Sequence, residues 1–386
     1  QIKIPIFRME SVQTVWTQLI PENHTFSIDL TDAYFHVPIH QDSRKYLRIL
    51  FRGKVYQFKA LPFGLSTAPY IFTQVVSQVK ALVHLRGMQL FLYLDDWLVQ
   101  IRTYLEGIAQ SNYLTSLCQE LGLIVNLQKS ELIPSQSFTF IGAHFNLKTQ
   151  RVTPKEENVL KLKKKITRFL SLSFATAREF QSILGSMASQ FRYIPNSRLY
   201  MRPVQWHLKT NWDQLTGSQY QKIHISPQVK QCLIWWEQQL ENQVGVPLQP
   251  PTYQYHMFTD ASEQGWGAHV SDAQDTKFQG RWTPEESLLH INNLELRAVR
   301  LALVSYNPPP HSAILVASDN RTVVSHINKS GGTHSWSLME ETVLLYQIVI
   351  QKEWVIRARY IPGRLNVIAD ALSRAGQILP SEWSIH

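Results

Sequence analysis

Seven acids carry the chemistry open to this sequence. In Phe91-Leu92-Tyr93-Leu94-Asp95-Asp96-Trp97-Leu98-Val99 two adjacent carboxylates separate two short apolar runs, a pattern that predicts strand, tight turn and strand with the acids at the tip. Neighbouring side chains on a flat strand point to opposite faces, so only a turn brings both acids toward one site. Asp also favours turns for its own local hydrogen bonding, and a solvated hairpin is the plain reading of the dipeptide by itself. A third acid, Asp29, closes the run Thr25-Phe26-Ser27-Ile28 in the same way. Three carboxylates at the ends of apolar strands make a hard-oxygen set suited to Mg2+. Four more, in the order Asp260, Glu295, Asp319 and Asp370, stand at predicted strand ends or helix starts in the last third of the chain. Four carboxylates suffice to hold two divalent ions about 4 Å apart on either side of a phosphate.

The elements that must position these acids can be taken in chain order. A helix-like stretch over Glu10 to Leu19 stops at Pro21, and a strand from Phe26 to Leu30 carries Asp29. Alternation from Tyr46 to Phe58 around Arg52-Gly53 predicts a hairpin. A loop over Leu61-Pro62-Phe63-Gly64-Leu65 opens a helix running to about His84. After the acidic hairpin a helix runs from about Leu105 to Leu121, followed by strand-like segments over 122–126 and 137–147. Thr153-Pro154 predicts the start of a helix bearing Lys155, Lys161, Lys163, Lys164, Lys165 and Arg168. Such a charge run is usually a solvated face. Trp235-Trp236 reads as a packed apolar helix face, and Gly245-Val246-Pro247-Leu248-Gln249-Pro250-Pro251 as a stiff linker. Beyond it come strands over 255–259, 265–268, 314–318 and 354–360, with helices between them.

With 386 residues the chain has ample core for two or three compact units. Its 44% hydrophobic and 17% charged residues exclude a disordered chain. The net charge of +9 points to a polyanionic partner. Cys118 and Cys232 lack metal-ligand spacing and read as core residues of a protein from a reducing compartment. No apolar run approaches the ~20 residues that cross a bilayer. These features predict an intracellular protein, cytoplasmic or nuclear, without a secretion signal. The start Gln-Ile-Lys-Ile-Pro lacks an initiator Met, as expected of an internal piece of a longer polyprotein. Oligomeric state has no signature here.

The order and spacing of the first motifs resemble the palm of a reverse transcriptase. Asp29 with Asp32-Ala33-Tyr34-Phe35 matches its first motif, Leu61 to Pro69 the Leu-Pro-Phe-Gly-Leu motif of retroelement polymerases, and Tyr93-Leu94-Asp95-Asp96 the Tyr-x-Asp-Asp box. Gly122 to Glu131 with Lys129 matches the fourth motif, and Phe138 to Phe145 the primer-grip strands. The last third resembles ribonuclease H, since each acid carries its expected surroundings: Thr-Asp-Ala-Ser, Glu-Leu-x-Ala, Ser-Asp-Asn and Ala-Asp-Ala-Leu-Ser-Arg. Asp-Asp-Trp, Ile-Trp-Trp-Glu and Arg-Tyr-Ile-Pro-Gly-Arg-Leu-Asn make the whole chain most similar to the DIRS group of retrotransposons.

The resemblance implies a multidomain α+β fold: a palm with partial fingers (1–150), a helical, basic thumb and connection (151–244), a linker (245–252), an α/β ribonuclease H-like domain (253–376) and a tail (377–386). It implies RNA-directed DNA polymerisation fused to removal of RNA from RNA/DNA hybrids, with two Mg2+ per active site, or Mn2+ in their place. Asp29 and Asp95 would be metal ligands with Asp96 in support, and Asp260, Glu295, Asp319 and Asp370 would form the nuclease set. Asp32, Ala33, Tyr34, Gly64 and Lys129 would meet the dNTP and the template, Tyr34 excluding a ribose 2'-hydroxyl. The thumb cations would follow the phosphates of the RNA template and DNA primer. Asn293 and the glycine-rich strand after Asp260 would sense RNA 2'-hydroxyls in the hybrid.

Two departures qualify the resemblance. No histidine precedes Asp370 where many cellular ribonucleases H carry one, since Tyr360-Ile361-Pro362-Gly363-Arg364 stands there. Only 28 residues precede Asp29, so most of the fingers is expected to be missing. Two narrower expectations follow: a ribonuclease H beside an inactive polymerase domain, or a non-catalytic, domesticated nucleic-acid-binding protein.

Overall fold

A computed structural model describes residues 7, 9–242 and 244–374. The expected tail at 377–386 lies outside the described residues. Two units are present: the described residues of 1–159 with 244–249, and those of 160–243 with 250–386.

The first unit is built on a four-stranded sheet in the order Gln89–Tyr93, Asp96–Ile101, His24–Asp29, Glu131–Ser135. Antiparallel register sets Phe26 opposite Val99 and Ile28 opposite Trp97, which in turn face Leu90 and Leu92. Alternation therefore gathers six buried side chains on one face. The helices Ala68–His84 and Tyr104–Glu120 cover it with Phe72, Val76, Val79, Val83, Leu114 and Cys118. The same register carries Asp29 to a position opposite Asp96, at the end of the sheet. Glu131–Ser135 was not legible as a strand because Pro134 lies inside it, which an edge strand tolerates. Over 122–126, where a strand is expected, there is only an isolated bridge from Val125 to Leu30.

A second sheet in this unit has the order Val246–Pro247, Arg151–Pro154, Ala143–Asn146, Ser137–Phe140. Pro154 thus closes a strand, and the basic helix opens later, over Glu156–Ser171. Val246–Pro247, inside the stretch read as a linker, pairs with Val152 and Arg151, and Trp16 Nε1 donates to the Leu248 carbonyl at 2.6 Å. The expected hairpin forms from Arg48–Phe51 and Lys54–Gln57, with φ of +50° at Arg52 and +73° at Gly53 as a two-residue turn of the favoured hand requires.

The second unit holds a five-stranded sheet in the order Lys277–Arg281, Gly265–Val270, Tyr255–Ala261, Ala313–Ser318, Val355–Tyr360. The first three strands are antiparallel, and the last two run parallel to Tyr255–Ala261. The core joins this sheet to the helices Ile291–Tyr306, Arg321–Lys329 and Trp336–Gln351. Glu341, 3% exposed, receives both Arg297 and Arg300 and ties two of those helices together. Buried charges are stable only when paired and hydrogen-bonded in this way. The helix Val367–Ser373 lies on Gly267, where an added Cβ would come within 2.5 Å of its backbone and side chains, while a Cβ on Gly265 would meet the Gly280 carbonyl of the neighbouring strand at 2.2 Å. The helical segment contributes Ala177–Gln190, capped by a reciprocal Thr176–Glu179 box, with Ser197–Asn211 and Pro227–Asn242. Trp236 is fully buried and Trp235 stacks on Tyr200 at 3.9 Å, so this pair packs as its apolar pattern suggests.

Candidate active sites

In the first unit, pairing of Tyr93 with Asp96 leaves Leu94 and Asp95 as a two-residue turn. Leu94 takes φ +56°, a left-handed conformation that a side chain disfavours. Trp97 stabilises it by donating its indole N–H to the Leu94 carbonyl at 2.9 Å from a fully buried ring. The turn is tied to the central strand by Leu30 N–H donating to the Asp95 carbonyl, and Asp29 N–H donates to Ser130 Oγ. Asp95 is exposed while Asp96 is half-buried. Burial, then the charges of Asp95 and Asp29, push the Asp96 carboxyl up to about 7 against a backbone hydrogen bond from Ile141. Burial also raises Asp29, with Lys129 pulling down and Asp95 adding to the rise. The three palm acids and Lys129 therefore share one electrostatic environment. A site that repels its own carboxylates favours protons or a cation.

The expected nucleotide-side residues lie in the turn that follows Asp29. Asp32 is exposed at φ +49°, and Ala33 and Tyr34 open the 3-10 turn Ala33–His36. His36 Nε2 accepts from Ile124 N–H, so its Nδ1 carries the proton donated to the Ala33 carbonyl at 3.0 Å. Tyr34 is 9% exposed, edge-on to Phe72 and tilted on Phe63, and its hydroxyl is held up by burial and by Asp95. Gly64, beside Phe63, sits at φ +87° with nothing within 4 Å of an added Cβ.

In the second unit, Asp260, Glu295 and Asp319 offer ligand oxygens that all lie within 4.8 Å of one another. Asp260 comes from the central strand, Asp319 from the end of Ala313–Ser318, and Glu295 from the first turns of Ile291–Tyr306. Asp370 joins them electrostatically, its carboxylate gripped by Arg374 Nε at 2.9 Å and Nη2 at 2.8 Å. Ser373 donates to Asp260 Oδ2 at 2.7 Å, and a Cβ on Gly363 would sit 2.9 Å from Asp319 Oδ2. Burial first and mutual repulsion next push Asp260 up to about 6 and Glu295 up to about 9, and Asp319 is raised for the same reasons. Glu295 Oε2 is buried with no hydrogen-bond partner. An orphaned carboxylate oxygen among hard-oxygen donors fits a divalent cation.

Asn293, expected to reach substrate, is 6% exposed and donates to Ser337 Oγ at 3.0 Å. Its neighbour Asn292 is half-buried and accepts from Asn320 Nδ2 at 2.9 Å, next to Asp319. Helical phase could have told the two apart: position 292 is three residues before Glu295, on the same face, while 293 is turned toward the core. Gly265 and Gly267 are likewise covered by the last helix.

Raised acids make stability fall as pH climbs. Folding holds protons on Asp260 and Glu295 that the unfolded chain releases near pH 4–4.5, so the contribution is complete below that range and is lost as pH rises through about 6 and about 9. In metal-free buffer the melting temperature is expected to drop between pH 5 and 9. Millimolar Mg2+ should restore about 5 °C at pH 8 and almost nothing at pH 5, as read by scanning calorimetry. Glu295→Gln should flatten both responses, and a Mg2+ effect of equal size at pH 5 and pH 8 would refute this account of the cluster.

Residues 2–145 match the family described as "Reverse transcriptase (RNA-dependent DNA polymerase)". They form a reverse transcriptase domain of the kind carried by retrotransposon and viral polyproteins. Among similar proteins, the enzymatic polyprotein of Cassava vein mosaic virus is 24% identical over 96% of this chain and 56% of its own length. The Transposon Tf2-3 polyprotein of Schizosaccharomyces pombe is 23% identical over 97% of this chain and 27% of its own length. The chain thus spans about half or less of those relatives. Foamy viral protease-reverse transcriptase, solved with an RNA/DNA hybrid, shares the mixed α/β fold at a TM-score of 0.54 and 19% identity, over 98% of this chain and 49% of that one. Its "dRH" form in complex with double-stranded DNA gives 0.55 over 93% and 60%. Among the described residues no helix is long and apolar enough to cross a membrane.

Proposed function

We propose that the chain is an RNA-directed DNA polymerase fused to a ribonuclease H, part of an intracellular retroelement polyprotein of DIRS-like type. The observation that carries this reading is the presence of a separate carboxylate cluster at strand ends in each unit, one of them inside the reverse transcriptase domain. The second cluster lies on a five-stranded sheet with three antiparallel and two parallel strands, which supports the nuclease assignment.

Bound Mg2+ would lower the pKa of the attacking hydroxyl or water and neutralise charge at the phosphate. Asp29 and Asp95, with Asp96 in support, would hold it for the dNTP reaction, and Asp260, Glu295, Asp319 and Asp370 for cleavage. Ser373 fixes one oxygen of Asp260 within the cluster, and Arg374 fixes the Asp370 carboxylate beside it. Asn292, locked by Asn320, is the side chain best placed to meet a 2'-hydroxyl near Asp319. Tyr34, wedged between Phe63 and Phe72 and within electrostatic reach of Asp95, supplies the wall against ribonucleotides. Tyr34→Val is expected to raise the ratio of ribonucleotide to deoxyribonucleotide incorporation by about 10- to 100-fold, the scale on which pocket size discriminates. Unaltered selection in single-nucleotide incorporation kinetics would remove Tyr34 from that role.

A narrower reading, cleavage beside an inactive polymerase domain, is favoured by one observation: among the described residues the trio within 4.8 Å belongs to the C-terminal unit. Primer extension on an RNA template, run beside cleavage of a labelled RNA strand in a hybrid, decides between them. Mg2+-dependent extension supports the full reading, and cleavage alone supports the narrower one. Binding without either reaction leaves the domesticated binder.

A further inference from the structure

The segment 122–130 runs past the first acid cluster without regular secondary structure, entered at Gly122 with φ +75° and anchored by the buried Leu123. Its backbone is stitched to the strand that bears Asp29: Thr31 N–H donates to the Ile124 carbonyl at 2.8 Å and Asn126 N–H to the Asp29 carbonyl at 2.8 Å. Asn126 then shapes a turn, its Oδ1 accepting from the Gln128 and Lys129 amides at 3.2 and 3.3 Å. The turn presents the exposed Lys129, whose charge pulls Asp29 down. Each of these ties to the strand ends on Asp29 or Thr31, short of the turn Ala33–His36.

His36 makes the connection that those bonds leave out. Its Nε2 accepts from Ile124 N–H at 2.9 Å while its Nδ1 donates to the Ala33 carbonyl at 3.0 Å, so one ring joins the loop to the turn. An amide only donates and a carbonyl only accepts, so the side chain between them must offer one acceptor and one donor together. Neutral imidazole does so, and an aliphatic side chain cannot. The turn needs the support, because it is entered through Asp32 at φ +49°, a conformation that a side chain disfavours. Removing the ring costs the core little: Ile124 is 61% exposed, and its freed amide meets water. The acids have ties of their own, Leu30 N–H to the Asp95 carbonyl and Asp29 N–H to Ser130 Oγ.

We propose that His36 is a positioning residue of the polymerase site, a latch that couples the turn carrying Ala33 and Tyr34 to the loop carrying Lys129 so that both sides of the deoxynucleotide site hold one geometry. The proposal rests on the polymerase reading above. Since the acids are held independently, the latch sets how tightly the nucleotide is bound and leaves the chemical step nearly untouched.

Single-nucleotide extension kinetics and amide hydrogen exchange of the 386-residue chain test it together. His36→Leu is expected to raise the KM for a deoxynucleotide about tenfold, the scale of two ordinary hydrogen bonds, with kcat within about threefold and hybrid cleavage unchanged. His36→Gln, whose amide offers an acceptor and a donor, should recover most of that loss. In a Lys129→Ala background the rise caused by His36→Leu should shrink to about threefold or less, because residues that act through one another are not additive. By mass spectrometry, peptides covering 122–131 should exchange about tenfold faster in His36→Leu and near the parent rate in His36→Gln. If His36→Leu fails to fold, His36→Asn, too short to reach Ile124 and able to keep the Ala33 bond, takes its place. A loss confined to kcat, additivity with Lys129→Ala, or unchanged exchange in a folded variant overturns the latch and leaves the polymerase reading intact. A parent chain that extends no primer removes the polymerase reading and the kinetic role of His36 with it, while faster exchange in His36→Leu still upholds the contact.

Discussion

Asp319→Asn is expected to reduce cleavage of the RNA strand by about 10³-fold or more while primer extension stays within about twofold. Loss of one ligand from a two-ion site removes several kcal/mol of charge stabilisation at the phosphate, and each 1.36 kcal/mol is tenfold in rate. Asp319 is half-buried at the end of a core strand, within 4.8 Å of two other carboxylates and under the closely approaching backbone of Gly363. Asn has nearly the same shape, so the helix cap at Asn320 and the strand pairing persist. Removing a negative charge from a cluster whose members raise one another also relieves repulsion, so the metal-free variant should melt no lower than the parent at pH 8. That combination separates a chemical role from a structural one: cleavage lost, melting temperature kept or raised. The two acid clusters lie in different units, so extension should survive. Equal loss of both reactions in one preparation would contradict the division of labour.

How much was legible beforehand follows from what each signal measures. Alternation and apolar runs report which residues face a core, so the strands bearing Asp29, Asp260 and Asp319 could be read directly. The strand Glu131–Ser135 sets Leu132 and Ile133 side by side and contains Pro134, so no alternation announces it although it completes the sheet beside Asp29. Pro154 had two meanings, a helix start or a strand end, and only pairing with Ala143 decides between them. Asn293 is buried against Ser337 while Asn292 stands half-buried beside Asp319, a difference of helical phase that residue type by itself does not carry. Val246–Pro247 looked like a linker because a two-residue strand is too short to leave a pattern. Chemistry was thus easier to read than placement: the type of each acid is local, while its partners are set by the fold.

The palm gives the second large effect. Asp95→Asn is expected to lower extension by about 10³-fold or more, with hybrid cleavage unchanged, and Asp96→Asn to lower extension by no more than about 10²-fold. The difference comes from environment. Asp95 sits exposed on a turn whose geometry is held by the Trp97 indole and the Leu30 amide, so its substitution touches little besides charge. Asp96 is half-buried, is pushed up to about 7, and receives the Ile141 amide, so near neutral pH a large part of it is already uncharged without a cation. Asn at 96 therefore copies a state the parent already occupies, whereas Asn at 95 removes an exposed ligand from the shared field of Asp29 and Asp96. The pH profile supplies a second readout. Any extension that depends on ionised Asp96 should rise with pH in the parent, at lower pH as Mg2+ is raised, and lose that step in Asp96→Asn. Steady-state extension from pH 6 to 8.5 at saturating Mg2+, with cleavage measured in the same tubes, decides the case; equal losses for the two variants would mean that both acids are direct ligands.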